Sequence, residues 1–224
     1  MATASYFSPV VDDESRILIL GTFPGEDSLE KGEYYADSRN QLWDILGNAL
    51  ENPGIKNNSY AQKVQFLLQH NIALWDVLKC VTRDGSSDNA IIDYQCNDLL
   101  GFLLRYPSIE KILFNGGDAA DLFRKCFFKC PCVSSASPRL KINPKCILIT
   151  LHKNKIEVES PETCAPPAGC REIRGITLPS TSGVNTTLSV EKKTDKWREA
   201  LQNTPPTEET VEVYIHTVEP FSTL

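Results

Sequence analysis

Three short apolar runs constrain this chain most. Arg16-Ile17-Leu18-Ile19-Leu20, Ile72-Ala73-Leu74-Trp75 and Lys111-Ile112-Leu113-Phe114 are too short for helices and lack apolar–polar alternation. A strand that does not alternate must be covered on both faces. That environment belongs to parallel sheets held between helices. Helical spacing fills the intervals. Apolar positions at Leu42, Trp43, Ile45, Leu46, Ala49 and Leu50 predict a helix over 40–50, and Val64, Phe66, Leu67 and Leu68 another over 59–70. Residues 91–106 read as a helix stopped by Pro107. Residues 119–128 read as one capped by Asp118, and 189–201 as a closing helix carrying Trp197. Residues 175–179 give a last core strand. The expected fold class is α/β, a three-layer α/β/α sandwich around a central, mostly parallel four-stranded sheet. In such sheets ligands bind at the carboxyl ends of the strands, where Gly21 and Asn115-Gly116-Gly117 follow the first and third runs.

A chain of 224 residues suits one domain with insertions. The expected division is a domain over 1–203, with a Cys-rich basic insertion at 129–170, and an acidic extension over 204–224. No apolar run reaches the roughly 18–20 residues that span a bilayer, and 1–15 lack a basic segment followed by an apolar one. The protein is expected to be soluble and intracellular, nuclear or cytoplasmic, and monomeric. Its eight cysteines then call for something other than a disulfide framework. No pair among Cys126, Cys130, Cys132, Cys146, Cys164 and Cys170 has the C-x₂-C spacing of zinc knuckles. Free thiols are expected, with no metal and no cofactor. His70, His152 and His216 are far apart in sequence and are assigned no catalytic role.

Acids outnumber bases, 29 to 23, which excludes a uniformly basic coat for nucleic acid. The charge is unevenly placed, however. Between 122 and 156 there is no acid, while Arg124, Lys125, Lys129, Arg139, Lys141, Lys145, Lys153 and Lys155 follow one another. A single-signed segment fits a polyanion-facing surface, and a solvated loop of ordinary lysines fits it as well.

Two loops carry candidate chemistry. Gly21-Thr22-Phe23-Pro24-Gly25 follows a strand, and its glycines allow close backbone approach to a ligand. It is neither a P-loop nor a dinucleotide fingerprint. Pro179-Ser180-Thr181-Ser182-Gly183-Val184-Asn185 is a small-residue loop rich in donors suited to phosphates. Either loop alone could be a turn.

In combination the motifs resemble the uracil-DNA glycosylase superfamily, in particular its hypoxanthine-DNA (deoxyinosine) glycosylase branch, usually called family 6. The resemblance runs colinearly through 21–25, Ser28-Leu29, 34–43, 73–77, Arg83-Asp84-Gly85-Ser86 with Asp88, Asn97-Asp98, Phe114-Asn115-Gly116, 178–185 and 193–197. It implies a monofunctional enzyme that flips a deaminated base, hypoxanthine or uracil, out of DNA and hydrolyses its N-glycosidic bond without a cofactor. It implies Asn40 as the catalytic amide, orienting water through its carbonyl or donating to the leaving base through its NH₂. As a plain N-cap of the following helix, Asn40 is equally good physical chemistry. The resemblance further places Gly21, Thr22, Phe23, Pro24, Gly25, Leu42 and Asn115 around the base. Asn115 is either a reader of the base edge or a turn residue, and Phe23 either stacks on the base or belongs to the core. Pro179, Ser180, Thr181, Ser182, Gly183, Val184 and Asn185 would contact DNA, with the serines and threonine on phosphates and Val184 as a wedge.

The chain departs from the family pattern at three points. Leu42 stands where relatives carry an aromatic. Gly183-Val184 stands where Pro-Ala is common, which predicts a more flexible loop. Leu178 stands where the best-known superfamily members have a histidine, so that histidine's electrophilic help is absent. Besides the enzyme, two other classes fit: a non-catalytic nucleic-acid-binding protein that keeps the fold, and a hydrolase of free nucleosides.

Overall fold

The computed structural model describes residues 2–4, 7–83, 91–128, 146–152, 171–202 and 210–216. The apolar runs become strands β2 (Ile17–Gly21), β3 (Ile72–Asp76) and β6 (Lys111–Asn115). With β8 (Arg171–Leu178) they form the parallel centre of the main sheet, in the order β3-β2-β6-β8. This is the four-stranded parallel centre expected. It continues beyond β8 through β7 (Cys146–His152), parallel to β8, and β9 (Thr210–His216), antiparallel to β7. The apolar run inside the insertion and part of the acidic extension thus contribute strands to the same sheet.

The strands lack alternation because each face has its own core. Leu18, Leu20, Ala73, Ile112 and Phe114 pack with residues of α4 (Leu99–Arg105) and α5 (Gly117–Phe128). Ile19, Ile72, Leu74 and Leu113 face the opposite way. There they meet α2 (Leu42–Ala49), α3 (Tyr60–Gln69) and α6 (Val190–Leu201). Successive strand residues point to opposite faces, so an unbroken apolar strand buries both. The three layers follow from this. A short helix, α1 (Glu26–Lys31), carries the buried Ser28. The expected helix over 59–70 appears as α3, with a capping box between Ser59 and Gln62.

Residues 91–106 are not one helix. Ile91–Cys96 is strand β5, antiparallel to β4 (Leu78–Arg83), and β1 (Ala2–Ala4) pairs with the other edge of β4. Only Leu99–Arg105 is helical, and Asp98 caps it by accepting from the Gly101 amide at 2.9 Å. The apolar residues on both sides of Asn97-Asp98 mimic one helical face, but the cap starts a new element. The cysteines also differ from expectation. Cys96 and Cys126 form a disulfide between the end of β5 and α5, with Cα atoms 5.9 Å apart. Cys80 is a free thiol.

Candidate functional site

The site is assembled at the carboxyl edge of the parallel strands. Gly21 pairs with Asp76, and Asn115 pairs with Leu178, so the strand ends lie in one row. Gly21 leaves room for the ends of two neighbouring side chains, which would have to shift if it carried a Cβ. A Cβ there would lie 2.5 Å from Asp76 Oδ1 and 2.6 Å from the Tyr35 hydroxyl. Tyr35 itself holds φ at +55°, a conformation that non-glycine residues adopt rarely and that clusters at functional sites.

The turn before α2 is built from its own polar groups. Ser28 Oγ accepts from the Ala36 amide at 3.1 Å and ties this turn to α1. Asp37 Oδ1 accepts from the Arg39 amide at 2.9 Å, and the Asn40 amide donates to the Asp37 carbonyl at 2.9 Å. The Arg39 guanidinium closes on the Asp37 carboxylate and holds its pKa below the ordinary value. Asn40 therefore enters α2 from a fixed turn.

Asn40 Oδ1 accepts from the Leu42 amide at 3.0 Å and from Thr181 Oγ1 at 3.0 Å. A backbone N–H can only donate, which fixes the oxygen of this amide on that side. Thr181 Oγ1 in turn accepts from Asn115 Nδ2 at 2.8 Å, while the Thr181 amide donates to Asn115 Oδ1 at 2.8 Å. The direction of every bond in the chain from Asn115 through Thr181 to Asn40 is thus set. Both lone pairs of Asn40 Oδ1 are used. Its Nδ2 makes no hydrogen bond among the described residues. Asn115 keeps one N–H and one lone pair beyond those it gives to Thr181.

The loop 179–185 is held from below. The Gln41 amide donates to the Thr181 carbonyl at 2.9 Å. Trp197 Nε1 donates to the Pro179 carbonyl at 3.1 Å. Lys193 Nζ donates to Gln41 Oε1 at 2.9 Å and to the Asn185 carbonyl at 2.7 Å. Gly183 is pressed against the preceding turn, where a Cβ would lie 2.6 Å from the Arg39 carbonyl oxygen. The loop expected to be more flexible is therefore packed at its glycine. Val184, next in sequence, is 81% exposed, and the only other exposed large apolar side chain among the described residues is Leu104.

Thus Thr181, within the loop 179–185, is hydrogen-bonded to both Asn40 and Asn115 and brings the two asparagines to one place. Other members of the expected set sit elsewhere. Leu42 is fully buried in the core beneath α2, and Phe23 lies in the opposite core with Leu20 and Val77. Thr22 and Pro24 are buried, and Gly25 is half-buried at the start of α1. Thr181, placed among the phosphate contacts by the sequence, is fully buried, while Ser180 and Ser182 on either side are half-buried. Lys193 had no role assigned from sequence. Its signal there is a lysine on the apolar face of α6, in step with Val190, Thr194, Trp197 and Leu201. Among the described residues no group of three or more His, Cys, Asp or Glu could hold a metal ion. No helix among them is long and apolar enough to cross a membrane.

The chain is similar to known proteins. The chain is 36% identical over 115 residues to a Methanosarcina acetivorans protein named hypoxanthine DNA glycosylase, covering 51% of this chain and 72% of that one. It is 34% identical over 110 residues to the Methanosarcina barkeri protein of the same name, covering 49% and 69%. A solution structure of a candidate uracil DNA glycosylase from Methanosarcina acetivorans superposes with a TM-score of 0.62 at 25% identity, covering 90% of this chain and 98% of that one. The family model described as uracil DNA glycosylase superfamily matches residues 8–203, which span both candidate loops and every strand of the parallel centre, and the chain belongs to that superfamily.

Proposed function

We propose that this protein is a monofunctional DNA glycosylase of base excision repair that removes deaminated bases, hypoxanthine first and uracil second. The supporting observation is the Asn40–Thr181–Asn115 set, together with the exposed Val184 of the loop that carries Thr181. The Methanosarcina relatives named for hypoxanthine support the choice of base.

The chemistry follows from what each group has left to offer. Cleavage of the N-glycosidic bond leaves positive charge on the sugar and negative charge on the departing base. Water then adds to the sugar carbon, and the proton it loses passes, directly or through solvent, to the base anion, which leaves as the neutral base. A donor aimed at the base stabilises the charge that develops there. Asn40 cannot be a strong base, and its carbonyl oxygen is already doubly occupied. We assign catalysis to its Nδ2, which donates to the leaving base. Asn115 is assigned to the base edge through its remaining N–H and lone pair. Flipping the nucleotide costs a few kcal/mol, least for a mispaired base, which favours deaminated positions over intact pairs.

Single-turnover release of free base from duplexes carrying one inosine, one uracil or neither tests this reading. Hypoxanthine should be released, and the unmodified duplex should stay intact. Tight binding of inosine DNA without release would favour a binding protein that keeps the fold. Cleavage of free inosine but not of DNA would favour a nucleoside hydrolase.

Two DNA contacts are further proposals. Val184, exposed in the loop that carries Thr181, is the candidate wedge for the gap left by the flipped base. Holding a step open costs a few kcal/mol, so Val184→Gly should lower excision at limiting enzyme by about tenfold. The deficit should shrink when the lesion faces an abasic site, where no pair has to be opened. The second contact is the basic segment 122–156. Arg124 and Lys125 lie on α5, whereas Lys129, Arg139, Lys141, Lys145, Lys153 and Lys155 lie outside the described residues. Reversing several of these charges should weaken DNA binding and reduce the log–log salt slope by about 0.9 for each phosphate no longer neutralised. Excision by fully bound enzyme should change much less. An unchanged affinity and slope would assign the segment to another role.

A further inference from the structure

We infer that Lys193 is a positioning residue, a buried clamp that fixes the DNA-facing loop to the segment carrying Asn40. The inference rests on the glycosylase reading and concerns how its site is held.

Lys193 is fully buried in the first half of α6. Burying an ammonium is costly, and the cost is offset only when its protons find good acceptors. Here the acceptors are two uncharged oxygens, Gln41 Oε1 and the Asn185 carbonyl. No carboxylate pairs with Lys193 among the described residues. Burial accordingly pushes its pKa below the ordinary lysine value. A leucine or methionine would pack α6 against the core without that cost, so what the amine adds is the bonds it makes.

Those bonds join two segments far apart in sequence. Gln41 follows Asn40 directly, and its amide donates to the Thr181 carbonyl. Asn185 ends the loop. The loop is thus fastened near its start by Thr181 and at its end by Lys193, with Gly183 and Val184 between. Helix α6 is itself anchored at its far end, where the buried Lys111 amine donates to the Ala200 carbonyl at 2.6 Å. Any force that DNA exerts on Val184 is therefore referred to a fixed frame that includes Asn40. Without the amine, Gln41 and Asn185 lose their common point, and the Asn40 amide loses its register with the base.

A double-mutant cycle on excision of hypoxanthine tests this. Lys193→Met should lower the single-turnover rate at saturating enzyme by about 10–100-fold, the scale of a misplacement of about 1 Å. In an Asn40→Ala background the same change should lower it less than about threefold, because the group being positioned is gone. A general structural role would instead give the same loss in both backgrounds, and that result overturns the proposal, as does a Lys193→Met rate within about threefold of wild type. Gln41→Met, which removes one acceptor and leaves the lysine in place, should reproduce the coupling if Lys193→Met does not fold. Amide exchange in the free protein supplies a readout independent of catalysis. The Gln41 and Thr181 amides should lose protection in Lys193→Met while β2 and β6 keep theirs, and unchanged protection at both amides contradicts the clamp. Wild-type protein that releases no hypoxanthine would fail the glycosylase reading, and the exchange measurement would still decide the clamp.

Discussion

Asn40→Ala is expected to slow base excision by about 10²–10³-fold, on the scale of deleting one transition-state donor. The substitution removes the Nδ2 proposed to meet the departing base. It also removes the oxygen that accepts from the Leu42 amide and Thr181 Oγ1. Leaving those two donors without an acceptor costs about 1–3 kcal/mol for each that stays buried, below the roughly 5–15 kcal/mol that holds a domain together. The variant should therefore fold and bind DNA. Its deficit should appear in the single-turnover rate of fully bound enzyme, because the lost bond is made only as the base departs. A rate within a few-fold of wild type would remove Asn40 from the chemistry.

Thr181→Val should damage both stability and rate. The two side chains have nearly the same shape, so the change isolates the hydroxyl. That hydroxyl is fully buried, donates to Asn40 Oδ1 and accepts from Asn115 Nδ2. Valine leaves two polar atoms short of a partner, at about 1–3 kcal/mol for each one that stays buried. For a domain of this size the melting temperature should fall by about 5–10 °C. Excision should fall by about 10–100-fold, since nothing but the Leu42 amide then orients the Asn40 amide. Thr181→Ser keeps the hydroxyl and should retain most of the rate. Thermal unfolding and single-turnover kinetics of the two variants decide the matter. A valine variant as stable and active as wild type would mean that the relay between the asparagines is idle.

The parts of this protein that could be read from sequence are those with one physical solution. The centres of strands β2, β3 and β6 are unbroken apolar runs because both faces are covered there. Helices α2, α3 and α6 announce themselves by spacing. Strand β5 carries a strand signal of its own, the alternation Ile92-Asp93-Tyr94-Gln95-Cys96, but the apolar start of α4 follows so closely that the two together mimic one long helical face. The disulfide between Cys96 and Cys126 was illegible for a related reason: it depends on β5 ending beside α5, which only the assembled fold determines. At the site, resemblance indicated Asn40 and Asn115 without their mutual geometry. The run Ser180-Thr181-Ser182 offers three hydroxyls of equal standing in sequence. Folding buries the middle one alone, and that burial makes Thr181 the link between the asparagines.

Asn40→Asp tests the central claim most directly, that Asn40 acts as a donor to the leaving base. A carboxylate can accept from the Leu42 amide and from Thr181 Oγ1 as the amide oxygen does, and aspartate caps helices as well as asparagine. Fold and local geometry should survive, but the N–H is gone and a negative charge faces a departing anion. Single-turnover release of hypoxanthine from an inosine duplex at neutral pH should therefore fall at least as far as in Asn40→Ala, by about 10²-fold or more. If Asn40 instead worked through its oxygen by orienting water, aspartate would offer the same acceptor and a stronger base. An Asn40→Asp rate equal to or above wild type would contradict the account.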